Sequence, residues 1–178
     1  DYVVFMEYVN NVNFNWGRWN SCYGGENSAD ITEYNGRNSA HECNFMNNYY
    51  KPGPESPANS VFVMASHARK GATSWGPARW YVSGNIMEGN DAATADNWQA
   101  MSAEKYTTDQ IRVNERIVPE MPYYKLDETE GAIGKYRPSR YMLTDIQTAG
   151  EAYKTVLKKA GTINRDATEK RVINDVKS

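Results

Sequence analysis

Few side chains in this sequence could do chemistry, and their types narrow what that chemistry is. His41 and His67 are the only histidines. Neither has a Ser or Cys partner in a recognisable context, so a histidine-based hydrolase is unsupported. Cys22 and Cys43 are too few for a disulfide scaffold and lack metal-ligand spacing. One disulfide in an exported protein and two buried thiols are both open readings. Arg69 and Lys70, beside His67, form a small basic cluster. Arg18-Trp19, Tyr23 and Lys51 add cations and aromatic rings to the first half. Cations suit a polyanion and aromatic faces suit sugar rings. Clustered Asp pairs, which a glycoside hydrolase needs, are absent from the strand-like stretches.

The elements that must position these residues show in the asparagines. Of 18 asparagines, 15 fall in residues 1–97, whereas 14 of the 20 Lys and Arg come later. Three segments align: "EYVNNVNFNWG" (7–17), "NFMNNYYKPGP" (44–54) and "WYVSGNIMEGN", which ends at Asn90. Their central residues Asn11, Asn48 and Asn85 are spaced 37 apart. Each follows a short aromatic or β-branched run and precedes another: Val12–Phe14, Tyr49–Tyr50, Ile86–Met87. Strand, Asn turn and strand at a fixed period predict a parallel β-helix, in which one Asn per coil stacks into a ladder and its tolerance of left-handed angles makes the turn. Trp16, inside a repeat strand, is expected in the core.

The fold class expected is therefore an all-β solenoid spanning residues 1–98, followed by an irregular, partly helical tail over 99–178. Long excursions, residues 24–40 and 51–79, are expected to border a binding cleft. Thr148 with Glu151 predicts a capping box opening a helix near 148–160, with Tyr153, Val156, Leu157 and Ala160 on one face. Asp166 with Glu169 predicts a second helix near 166–177, with Val172, Ile173 and Val176 apolar. The net charge of -2 and pI near 5.8 give no basic surface for nucleic acid. No apolar run is long enough to span a membrane. The chain opens at Asp1 without a charged-then-apolar leader, which reads as a removed signal or a piece of a longer chain.

The stretches "NNVNFNWG", "SCYGGE", "NNYYKPGP", "RWYVSGN", "TADNW" and "AGTINRDATEKRVINDV" resemble the C-terminal half of bacteroidete-type pectate lyases of polysaccharide lyase family one. The resemblance runs in order from about Val9 to the C-terminus. It implies a right-handed parallel β-helix with an asparagine ladder. It also implies a secreted, periplasmic or cell-surface bacterial enzyme that cleaves polygalacturonate (pectin) by calcium-assisted β-elimination. Calcium would neutralise the uronate carboxylate, and an Arg or Lys with lowered pKa would take the C5 proton. The family's catalytic "R-x-P-R" stretch has no counterpart here; "YRPSR" at 136–140 lies in the wrong place. The catalytic and calcium residues are thus expected in a preceding part of the same protein, which would be a partner of this one. The coil order places Arg18, Trp19, Tyr23, Glu26 and Lys51 near the substrate cleft, with Arg69 and Lys70 as further uronate-binding candidates. A non-catalytic polysaccharide-binding protein and a β-helix pectin hydrolase or esterase are the alternatives.

Overall fold

The computed structural model describes residues 4–17, 20–24, 41–57, 61–65, 79–103, 107–118, 122–125, 132–135, 142–161 and 164–178. Nine short strands form three parallel three-stranded sheets. The first holds β1 (Val4–Val9), β4 (His41–Met46) and β7 (Arg79–Ser83) in that order. The second holds β2 (Val12–Phe14), β5 (Tyr49–Lys51) and β8 (Ile86–Met87). The third holds β3 (Asn20–Gly24), β6 (Val61–Ala65) and β9 (Met101–Ala103), so it draws its last strand from beyond residue 98.

The repeat sets the register of two of these sheets. Tyr8 lies opposite Phe45 and Phe45 opposite Val82; Val12 lies opposite Tyr49 and Tyr49 opposite Ile86. In the third sheet the partners are Asn20 and Val61, then Val63 and Met101, and the fixed spacing lapses. Alternation along a strand sends Cys43 and Phe45 to the core and Glu42 and Asn44 to the other face. Around fully buried Phe45 pack Tyr8, stacked at 5.2 Å, and Tyr50, Phe62 and Trp80 at 6.2 to 6.5 Å between ring centroids. Trp16, 8% exposed, meets Tyr50 edge-on.

The expectation of an all-β solenoid, a right-handed parallel β-helix with a partly helical tail, is corrected. The described residues make a mixed α/β structure of small parallel sheets and four α-helices. Helix enters inside the repeat region itself, because Asn90 stops the strand pattern there. Its side chain accepts from Ala93 N–H and caps α1 (Asp91–Ala95), whose Ala-rich sequence favours helix. A 3-10 helix (Asn97–Ala100) and α2 (Thr108–Ile111) follow. Beyond them β10 (Pro122–Lys125) and β11 (Ala132–Lys135) form an antiparallel pair.

The C-terminal helices are α3 (Ala149–Lys159) and α4 (Ala167–Lys177), opened by reciprocal capping boxes of Thr148 with Glu151 and Asp166 with Glu169. Their buried faces differ from the expected stripes. Helix α3 buries Ala149 and Ala152, with Tyr153, Val156 and Leu157 half-buried and Ala160 exposed. The helix packs against β2 and β5, its two small residues fully buried and its Tyr153 stacked on Tyr49 of β5. Helix α4 buries Val176, while Val172 stays 45% exposed.

Candidate functional site

The buried polar side chains gather in two places. The first is a column of amides at the turn between the first and second sheets. Asn11 donates from its backbone N–H and Nδ2 to Asn48 Oδ1, at 2.9 and 3.0 Å. Asn48 donates in the same way to Asn85 Oδ1, at 2.9 Å for both bonds. Asn85 donates to Asn97 Oδ1, at 2.8 and 3.0 Å. The Nδ2 groups of Asn48 and Asn85 also reach the carbonyls of Tyr8 and Phe45. Asn48 is wholly buried and Asn85 nearly so, which is tolerable because their amides are partnered.

Two features of the column differ from the repeat-based expectation. The left-handed turn residue is the one before each column asparagine: Asn10 at φ 59°, Asn47 at 53° and Gly84 at 69°. Each "NN" pair thus divides its labour, the first residue bending the chain and the second filling the column. The column also has a fourth member. Asn97 comes from the 3-10 helix, not from a strand, and donates back to the carbonyls of Asn85 and Ala93. It closes the end of the column, and its separation of 12 from Asn85 lies outside the 37-residue period.

The second place is the outer face of the first sheet. Glu7, Asn44 and Glu42 project there from β1 and β4. The segment after α2 lies over them: Arg112 bridges to Trp80, and Val113 N–H donates to the Trp80 carbonyl. Asn44 makes a reciprocal pair with Ile117, donating to its carbonyl at 2.9 Å and accepting its N–H at 2.8 Å. An amide side chain here imitates a strand edge. Glu7 accepts from Arg116 Nε at 3.0 Å and Nη2 at 2.5 Å, from Asn44 Nδ2 at 3.2 Å, and from Leu143 N–H at 2.9 Å. Arg79 Nη1 donates to Glu42 Oε1 at 2.6 Å. Both carboxylates are buried, which requires such partners. Arg79 and the run Val113–Val118 line a pocket of about 390 Å³.

The substrate candidates fare differently. Arg18, Trp19, Glu26, Arg69 and Lys70 lie outside the described residues, as do His67 and the "YRPSR" stretch. Tyr23 lies in β3 opposite Met64. Lys51 pairs with Glu88 at 3.6 Å, its side chain 12% exposed. Beside it Tyr49 stacks on Tyr153 of α3 at 4.3 Å and donates its hydroxyl to Glu88. Burial, then the bond to Glu88, push the Tyr49 hydroxyl up to about 12. This face is a docking surface for α3. The structure therefore brings together Asn11, Asn48 and Asn85, and ties Lys51 into an ion pair.

Sequence reasoning missed Glu7, Glu42, Arg79, Arg116 and Asn97. The 37-residue period carried a signal for some of them, because it relates Glu7 to Asn44 and Glu42 to Arg79. Nothing local pointed to Arg116, whose partner Glu7 is 109 residues away. Cys22 and Cys43 are thiols, not a disulfide, and burial pushes the Cys43 thiol up so that it stays protonated. Among the described residues no three His, Cys, Asp or Glu side chains converge as metal ligands, and Glu7 and Glu42 already serve arginines. These residues do not fit a calcium site. None of the described helices is long and apolar enough to cross a membrane. Compared with known proteins, the chain matches no family model and no curated protein.

Proposed function

We propose that this chain is the C-terminal part of a secreted bacterial pectate lyase-like enzyme that cleaves polygalacturonate by β-elimination. One observation carries the reading: the asparagine column on the 37-residue strand register. The column is built from "NNVNFNWG", "NNYYKPGP" and "RWYVSGN", three of the stretches on which the pectate lyase resemblance rests. In this reading the present residues are scaffold and substrate-facing edge. The catalytic base and the carboxylates that hold calcium belong to residues other than those described. No elimination step is assigned to Glu7, Glu42, Arg79 or Arg116, because each is committed to an ion pair.

The test is incubation of the full-length protein carrying these residues with polygalacturonate and calcium, following the ultraviolet absorbance of the unsaturated product. The expected result is new absorbance that a chelator abolishes. Reducing ends without that absorbance overturn the lyase reading in favour of a hydrolase. Binding of the polymer with neither product makes the protein a non-catalytic polysaccharide binder.

A further inference from the structure

The pocket over the first sheet has a chemistry that its ion pairs do not exhaust. Arg79 enters it from β7 and Arg116 from the covering segment. Each guanidinium is clamped from behind by a buried carboxylate, Glu42 in one case and Glu7 in the other. The clamps engage Nη1 of Arg79, and Nε and Nη2 of Arg116. Among the described residues this leaves Nε and Nη2 of Arg79 and Nη1 of Arg116 for a further acceptor. Arg79 and Arg116 keep 38% and 29% of their side chains exposed. Held at Nη1, Arg79 keeps its Nε–Nη2 edge as a pre-organised fork, which suits a second planar carboxylate. Arg116, whose Nη2 also donates to the Leu143 carbonyl at 2.8 Å, adds Nη1 as a single further donor. Val113, Ile117 and exposed Val118 supply an apolar wall beside the guanidiniums. A pocket of about 390 Å³ sits at the lower end of the range for small-ligand sites.

We infer that this pocket binds a single acidic sugar ring, its carboxylate received by Arg79 and Arg116 and its ring resting on Val113 and Val118. The identity of the sugar acid as a galacturonate rests on the polyuronate reading above. Selectivity comes from directed donors and not from a positive field, since Glu7 and Glu42 offset the two arginines and Glu115 adds a carboxylate to the lining. Binding is accordingly weak and lost with the carboxylate.

The probes are galacturonate and galactose, which differ in having a carboxylate or a hydroxymethyl group on the same ring. They are titrated into the intact protein while the Arg Nε–H and the 113–118 amide resonances are followed by NMR. Galacturonate should shift these signals saturably and galactose should not. Val118→Trp fills the pocket without touching either ion pair, and Arg79→Lys keeps the charge but removes the fork. Each should weaken galacturonate at least tenfold while leaving the spectrum folded. Equal binding of both sugars, or unchanged binding in folded Val118→Trp, overturns the proposal. If the polymer is cleaved but galacturonate does not saturate these signals, the pocket fails alone. If galacturonate saturates them and the polymer is neither bound nor cleaved, the pocket stands and the lyase reading falls.

Discussion

Asn48 is the residue on which the turn between the first two sheets depends most. Its Oδ1 accepts twice from Asn11, and its own N–H and Nδ2 bind Asn85. Replacing it by Ala strands polar groups in a buried site, at about 1–3 kcal/mol for each unsatisfied group. Asn48→Ala should therefore lower the unfolding free energy by ~3 kcal/mol in urea titration. Asn11, partly exposed at the end of the column, should cost about 1 kcal/mol as Ala. Equal costs at the two positions would show that the column does not act as a connected network. Gly84 makes a second case. It holds φ 69°, and a Cβ there would run into the Asn47 side chain. Gly84→Ala should destabilise by roughly 2 kcal/mol or more, by strain plus overlap; a neutral result in thermal melts would contradict this geometry.

At the scale of elements, α3 opens on a reciprocal cap. Thr148 Oγ1 accepts from the Glu151 N–H and donates to the Glu151 carboxylate. Those bonds to Thr148, ahead of the smaller attraction of Lys154, hold the Glu151 carboxyl below its ordinary value of 4.5. A lowered folded value means that this support is complete above the ordinary carboxylate value and fades as pH falls through the lowered one. Thr148→Ala should cost about 1 kcal/mol at neutral pH. That difference between wild type and variant should shrink in acid, as read by urea midpoints across a pH series. A constant difference would mean that the cap works without the carboxylate. The same element shows why helix faces are hard to read from spacing alone. Tyr153, Val156 and Leu157 have the right period, and Tyr153 does stack on Tyr49 of β5, but the fully buried positions of α3 are Ala149 and Ala152. Two of the smallest side chains are the most buried, and no hydrophobicity scale ranks them first.

For the whole molecule, the core depends on rings contributed by all three sheets. Phe45 touches Tyr8, Tyr50, Phe62 and Trp80, so it ties the first sheet to the second and third. Phe45→Ala should cost ~3–5 kcal/mol and broaden the thermal transition, because the cavity lies where the sheets meet. Loss of less than about 1 kcal/mol would show that the three sheets are not one cooperative core.

What the sequence determined by itself is the part with a local or periodic cause. Asn11, Asn48 and Asn85 share a spacing that brings their amides into contact, and the capping pairs at Thr148 and Asp166 need only three residues of context. The tertiary structure decided the rest. It moved the left-handed angle to Asn10, Asn47 and Gly84, because the column asparagine must aim its amide at its neighbours and leave the bending to the residue before it. It closed the column with Asn97, a helical residue with no place in the period. It turned an expected all-β solenoid with a partly helical tail into a mixed α/β structure, with Asn90 capping a helix inside the residues 1–98 expected to be solenoid. It also joined Glu7 to Arg116 over 109 residues, since a buried carboxylate takes whatever cation the fold brings within reach, and sequence distance carries no record of that.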